Sequence, residues 1–249
     1  MKKKNIFYLF LSILVFKSLL LQATTETKDF SAKDIVRLEI DNQIGQIKIE
    51  GRDTDKISIT ADKIKFGSKC LLSFKQSEKV IEIVNNKKSF FSDADCEVNF
   101  LVIIPKKLNL ELKNSRGRIE IEGTSGRLEV KVASGDVIVH SEVESLEAKA
   151  GSGNIEVHGL TGNANVKIGS GDVKLVYSKD PGKGEIDIKA GSGDATLFFP
   201  PKMRVHSKAL VGSGDSYSDI GDFQDAKFLI SFKAGSGTLN IKDSSKIIQ

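Results

Sequence analysis

The sequence is short of the residues that build metal and nucleophile sites. It holds 2 cysteines and 3 histidines in 249 residues. Cys70 and Cys96, with His140, His158 and His206 scattered along the chain, lack the spacing of a zinc site. Charge of one sign is also missing. The chain has 37 basic and 33 acidic residues, but Lys2, Lys3, Lys4 and Lys17 all fall before residue 24, where no acid occurs. Without those four lysines the remainder has 33 of each sign and a net charge of zero. That removes any bulk attraction to nucleic acid or to an anionic membrane. A long hydrophobic run is absent too. Residues 6–21 are apolar but short of the roughly 20 residues of a membrane span, and Lys17 interrupts them.

The basic start, this apolar stretch and the small residue Ala23 before Thr24-Thr25 give residues 1–23 the form of a secretory signal peptide. Cleavage is expected near Ala23, with an uncleaved anchor as the alternative. No cysteine stands at the cleavage site, which argues against a lipid-modified N-terminus. The expected address is periplasm, cell surface or medium, with no membrane span once the signal is removed. In such an oxidising compartment Cys70 and Cys96 can pair. A bridge would close a loop of about 25 residues and add about 3 kcal/mol in the chain-entropy model. Two isolated thiols are the alternative.

What the chain does have is glycine on a ruler. Gly117, Gly126, Gly135, Gly153, Gly162 and Gly171 fall nine residues apart, with Glu144 the one substitute. Alternate turns repeat almost word for word: Ala133-Ser134-Gly135-Asp136, Gly151-Ser152-Gly153-Asn154, Gly169-Ser170-Gly171-Asp172, Gly191-Ser192-Gly193-Asp194, Gly212-Ser213-Gly214-Asp215 and Gly235-Ser236-Gly237-Thr238. A short fixed period is the mark of a solenoid. Between turns the apolar residues alternate with period two, as in Leu128, Val130, Val132 or Ala164, Val166, Ile168. That is the pattern of a strand with one buried face. Helix is excluded, because Gly-Ser-Gly recurs every two strands.

Two strands and two turns make a coil of roughly 18 residues, so the predicted fold is an all-β solenoid, a single-strand β-helix. Residues 30–112 are strand-rich without the nine-residue period. They read as irregular opening coils or a cap that hides a sheet edge, continuous with the regular coils of residues 113–249. Toward the C-terminus the repeat loosens at residues 178–182, at Pro200-Pro201 and at residues 219–225.

Three sets of residues are candidates for function. The first is the turn column Gly135, Asp136, Gly153, Asn154, Gly171, Asp172, Gly193, Asp194, Gly214, Asp215 and Gly237. Calcium is one reading of its acids. Yet calcium needs six to eight oxygens, and the opposite turns hold Arg127, Asn163 and Glu185. Turn formation is the reading that the residue types favour, since Gly, Asn and Asp best tolerate positive φ.

The second is an outward lysine column, Lys113, Lys131, Lys149, Lys167 and Lys189, broken by Leu210 and resumed by Lys233. Beside it run Glu111, Glu129, Glu147, Asn165 and Asp187. It reads as a charge-compensated face first, and as a stripe for an anionic polymer second. The third is a set of aromatic residues at the irregular loops 177–184, 198–206 and 216–226: Tyr177, Phe198, Tyr217 and Phe223. Loops are where a local site would sit. His140 and His158 should be neighbours on adjacent coils, without a third metal ligand in register.

Residues 42–50 (Asn-Gln-Ile-Gly-Gln-Ile-Lys-Ile-Glu), Val102-Ile103-Ile104-Pro105, residues 112–122 and the Ser-Gly-Asp coils together resemble the bacterial "putative-adhesin" domains of unknown function. The resemblance covers roughly residues 35–249. It implies an exported single-strand β-helix and supplies no catalytic residue and no cofactor. The chain departs from that pattern at Glu144 and in the longer loops after Tyr177 and Phe199.

The expected function is therefore an exported, non-enzymatic interaction or structural module at the envelope or cell surface. Its partner would be a protein or glycan that the sequence does not name. A polysaccharide-active β-helix enzyme is the second class, though the acids here obey the repeat and a catalytic cluster would break it. A scaffold that stacks end to end through an uncapped edge is the third.

Overall fold

The computed structural model describes residues 24–246 apart from 90, 92 and 94. The stretch read as a signal peptide lies outside the described residues. Within them, 19 strands form one hydrogen-bonded sheet, and the helical content is a short 3-10 turn at Ser244–Lys246. The fold is all-β and solenoid-like.

The alternation seen in the sequence sets which side chains enter the core. In β12 (Ala164–Ser170), Ala164, Val166 and Ile168 are buried while Asn165 and Lys167 are exposed. Strands of this kind stack in two parallel files. The first file runs β6 (Val80–Lys87), β2 (Arg37–Ile44), β8 (Asn109–Arg116), β9 (Ile119–Ser134), β10 (Val137–Ser152), β12, β14 (Gly184–Ser192), β18 (Phe228–Ser236) and β16 (His206–Ser213). The second runs β7 (Glu97–Pro105), β3 (Ile47–Arg52), β9, β10, β11 (Ile155–Leu160), β13 (Val173–Tyr177), β15 (Ala195–Phe199), β19 (Leu239–Asp243) and β17 (Ser216–Ser218). β9 and β10 turn a corner, so their two halves serve different files.

Residues in register form inward columns. Ile83, Ile40, Leu112, Val130, Ala148, Val166, Ile188, Phe232 and Ala209 make one of them. Val130, Ala148 and Val166 are at most 1% exposed, so side chains one coil apart meet in the core. Each fully buried Val, Ile or Leu contributes about 1.5–3 kcal/mol relative to exposure. No coil can bury its own inner edge, and stacking supplies the missing surface.

The order of coils departs from expectation at both ends. From β8 to β13 the coils follow the chain. At the C-terminal end, β18 pairs with β14 on one side and β16 on the other, so the last coil of the chain slots in before the one that precedes it. The N-terminal end mirrors this, with β2 held between β6 and β8. The lysine column therefore runs Lys189, Lys233, Leu210, and the expected break by Leu210 is corrected to a terminus. The physical reason is that the glycine period sets the length of a coil but not the order of the end coils, which rests on pairing between residues far apart in the chain.

A buried asparagine ladder marks the N-terminal insertion. Asn85 donates from Nδ2 to Asn42 Oδ1 at 2.7 Å and to the Cys96 carbonyl at 2.8 Å. Asn42 donates to the Val98 carbonyl and Asn114 to the Gly45 carbonyl. All three are at most 2% exposed. Because a buried amide donor without a partner costs about 1–3 kcal/mol, the Nδ2 groups favour the order of coils that pairs them, while Asn85 Oδ1 and Asn114 Oδ1 accept no hydrogen bond among the described residues. Antiparallel strands then cover this end: β5 (Cys70–Gln76) on β6, β4 (Lys56–Lys65) on β7, and β1 (Thr24–Ser31) on β4. A disulfide between Cys70 and Cys96 ties β5 to the entry of β7.

The turn between the two files is possible only with glycine. Gly153 has φ of +113°, and a Cβ built there would lie 2.2 Å from the carbonyl oxygen of Gly135 in the coil before. Gly67, in contrast, has open space at its Cβ position and no positive φ. Gly153→Ala should therefore cost at least about 2 kcal/mol through strain and displaced backbone, while Gly67→Ala should be close to neutral. Thermal and denaturant unfolding of the two variants side by side checks this. Equal losses would refute the turn geometry.

Candidate functional site

The longest chemically uniform surface is the outward side of the first file. Register places Lys113, Lys131, Lys149, Lys167, Lys189 and Lys233 in one line, with Asp41 before Lys113 and Leu210 after Lys233. The strand alternation sends each of these side chains out, and four of the lysines stand two residues after an equally outward acid. Lys113 Nζ lies 2.8 Å from Glu111, Lys131 2.6 Å from Glu129, Lys149 2.7 Å from Glu147 and Lys189 3.2 Å from Asp187. Compensation stops at two positions. Lys167 follows Asn165 and Lys233 follows Ser231, and neither lysine forms an ion pair among the described residues.

These pairs shift both partners. The hydrogen bond from Lys113 holds the Glu111 carboxyl below the ordinary glutamate range, and Glu111 raises the Lys113 ammonium. Lys149 and Glu147 do the same to each other. Asp41 moves the other way: burial raises it, against the pull of Lys113.

On its far flank the lysine line borders a strip almost free of side chains. Ser115, Ala133, Gly151 and Gly169 lie there, forming with the lysines one shallow groove. Its floor is close-packed backbone: a Cβ at Gly169 would sit 2.4 Å from the Gly151 carbonyl oxygen. Beyond it stand Ser134, Ser152, Ser170, Ser192 and Ser236 in register. The surface thus offers ammonium groups, exposed backbone and hydroxyls, repeated once per coil.

The acids of the turn column are committed to the backbone. Asp136 Oδ1 accepts from the Asn154 N–H at 2.9 Å, Asn154 Oδ1 from the Asp172 N–H at 2.9 Å, Asp172 Oδ1 from the Asp194 N–H at 2.9 Å, and Asp194 Oδ1 from the Thr238 N–H at 2.8 Å. Gly135, Gly153, Gly171, Gly193, Gly237 and Gly214 stack beside them, each against the carbonyl of its neighbour. Asp215, on the outermost coil, accepts from the Tyr217 hydroxyl at 3.2 Å. Among the described residues no group of three His, Cys, Asp or Glu side chains is placed to hold a metal ion. His140 and His158 do stack, with centroids 4.8 Å apart. His158 is bound to Glu156 at 2.6 Å, and Lys174 reaches the same carboxylate oxygen at 2.8 Å. That triad was not anticipated, because Lys174 lies one coil away from the other two.

Of the four aromatic loop candidates, Tyr177 and Phe198 are corrected to core residues. Tyr177 is 1% exposed; its hydroxyl donates to the Gly162 carbonyl at 2.7 Å, and its ring stacks on Phe199 at 5.0 Å and meets Phe228 edge-on at 5.3 Å. It closes the core at a corner where the coil widens. Phe198 is also buried, with Lys174 above its ring at 6.0 Å. Phe223 is half-buried under the Arg204 guanidinium, 4.6 Å away. Tyr217 is exposed, on the short terminal strand β17.

The Toastrack DUF4097 family profile matches residues 35–246. No protein of curated function matches the sequence. Among solved structures, a "putative cell adhesion protein" from Clostridium sporogenes is similar at 16% identity, covering 90% of this chain and 100% of that one, with a TM-score of 0.38. A "putative adhesin" from Parabacteroides distasonis shares 13% identity over 89% of this chain and 97% of that one, at 0.42. A "putative lipid binding protein" from the same organism shares 16% over 88% and 96%, at 0.43.

The paired carboxylates give a signed pH dependence, Glu111 and Glu147 through their lysines and Glu156 through His158 first and Lys174 second. Glu111, Glu147 and Glu156 are all held below the ordinary value of 4.5 in the folded chain. The stability they add is complete above that value and is lost as pH falls through the lower folded values. The expected outcome is a melting temperature that declines in acid, with a shallower decline in the Glu111→Gln/Glu147→Gln/Glu156→Gln variant. Because exposed pairs are screened, the variant should lose little at neutral pH. Melting scans from pH 7 to 3 check both points, and parallel curves for the two proteins would count against them.

Proposed function

The chain belongs to the Toastrack DUF4097 family, and from that premise we propose that it is an exported, non-enzymatic binding module. In this reading the body is wound as a single-strand β-helix of roughly 18-residue coils and works at the cell envelope or surface. Two features support export: the form of residues 1–23 and the Cys70–Cys96 bridge, which belongs in an oxidising compartment.

One observation carries the binding assignment. The same outward groups recur in register from Lys113 to Lys233, spaced by the roughly 4.8 Å between paired strands. A surface that repeats suits a partner that repeats, because each extra contact is made at high effective concentration. The partner of this reading is an extended anionic glycan or protein segment lying along the groove. Its acidic groups would meet Lys167, in the groove, and Lys233, beyond it, first, because neither forms an ion pair among the described residues. The acids beside the column serve charge compensation and turn closure, which is why the reading is a binding module and not a hydrolase. The lysine column replaces the aromatic loops as the site, since Tyr177 and Phe198 are committed to the core.

Arrays of acidic glycans and matrix proteins, probed with the purified chain, test this. The expected result is binding to an extended anionic ligand that Lys167→Gln/Lys189→Gln/Lys233→Gln weakens by on the order of 10- to 100-fold, with an unchanged circular dichroism spectrum. Turnover of a glycan, or binding indifferent to the triple substitution, would overturn the assignment.

A further inference from the structure

Spacing along the chain excludes a four-ligand zinc site, but winding sets two imidazoles side by side on the second file. His140 of β10 and His158 of β11 are register partners, both turned outward beside the buried Val139 and Val157. Their rings lie 4.8 Å apart, tilted by 32°. On the same face as His158, Glu156 meets its Nε2 at 2.6 Å, and Lys174 donates to that same carboxylate oxygen at 2.8 Å. His158 first and Lys174 second hold the Glu156 carboxyl below its ordinary value. A carboxylate only accepts hydrogen bonds, so the proton of the contact sits on His158 Nε2, and the neutral ring carries its lone pair on Nδ1. Both rings line a shallow groove with Thr124, Ser141, Glu142 and Lys179, while Glu156 and Lys174 stand outside it. His140 is exposed and makes no hydrogen bond or ion pair among the described residues.

We propose that His140 and His158 form a two-imidazole site for a late first-row divalent metal ion, with water on the remaining positions. Imidazole suits copper, nickel and zinc, and copper(II) binds tightest of these. Two ligand nitrogens, each about 2.0–2.1 Å from one ion, stand about 3 Å apart. The tilt already brings one side of the two rings closer than their centroids, and rotation of the unbonded His140 ring closes the rest. His158 has the support that metal-binding histidines use: a carboxylate on the far N–H fixes the tautomer, aims the ring and raises its basicity. Lys174 holds that carboxylate in turn. Glu156 is thus a positioning residue and not a ligand, in keeping with the absence of a three-ligand group among the described residues. A structural zinc centre takes four protein ligands; this site, with two, is shallow and exchangeable. The inference stands apart from the lysine face and survives its failure.

Copper(II) titrated into the full chain, purified as the cell processes it, tests the proposal by calorimetry and electron paramagnetic resonance. The expected result is an ion whose spectrum shows two imidazole nitrogens and whose binding zinc(II) competes against only weakly. Glu156→Ala, which removes the acceptor behind His158, should lower the affinity by about 10- to 100-fold. His140→Gln and His158→Gln should each lower it further and leave at most one imidazole nitrogen in the spectrum. His206→Gln, which removes the remaining histidine of the chain, should change neither readout. Absence of copper binding, a spectrum without imidazole nitrogens, or affinity unchanged in the His140→Gln/His158→Gln double variant would overturn the proposal. So would wild-type affinity in Glu156→Ala. Should His158→Gln fail to fold, His140→Gln decides, because that ring is exposed: an unaltered spectrum there overturns the proposal as well.

Discussion

Each coil of this chain takes its backbone hydrogen bonds from the coils on either side. A coil has no partner strand within itself, so the peptide groups and the inner side chains are satisfied only when neighbours stack in register. That constraint explains the turns. Successive turns must nest, and the carbonyl of one glycine occupies the space where a Cβ of the next would project. It explains the residue that follows as well. Asp136, Asn154, Asp172 and Asp194 each reach one coil along to accept a backbone N–H, so the turn column is a second ladder of hydrogen bonds running beside the sheet.

A stack has ends, and much of the irregular sequence deals with them. The chain begins and finishes its solenoid in penultimate layers, β2–β3 and β18–β19, each clasped between two coils. The asparagine ladder of Asn42, Asn85 and Asn114 replaces the apolar residues that later coils carry at that position, Val132 among them. A polar group that is costly to bury unpaired selects one arrangement of layers where plain hydrophobic contact would accept several.

Repetition also shapes the surface. Once inward positions and turns are set by stacking, the outward positions are free to vary, and here they hold charge in lines. Pairing with acids quiets most of the lysine line, and Asn165 and Ser231 leave it uncompensated at two coils. Those positions and the bare strip beside them, which stacking leaves unconstrained, carry the binding proposal.

Much of this was legible in the residues alone. The glycine ruler and the two-residue alternation name strands, turns and the eighteen-residue step, because turn chemistry and side-chain facing are local properties. Val130, Ala148 and Val166 lie in register at that step, as do Lys113, Lys131, Lys149 and Lys167. Tyr177 and Phe198 were misread as loop residues: whether a ring at a corner turns in or out depends on the room left by Phe199 and Phe228 on other coils. The order of the outer coils was likewise out of reach. Sequence periodicity says that coils stack, but which coil lies against which depends on groups far apart in the chain, the buried amide donors of Asn42, Asn85 and Asn114 among them.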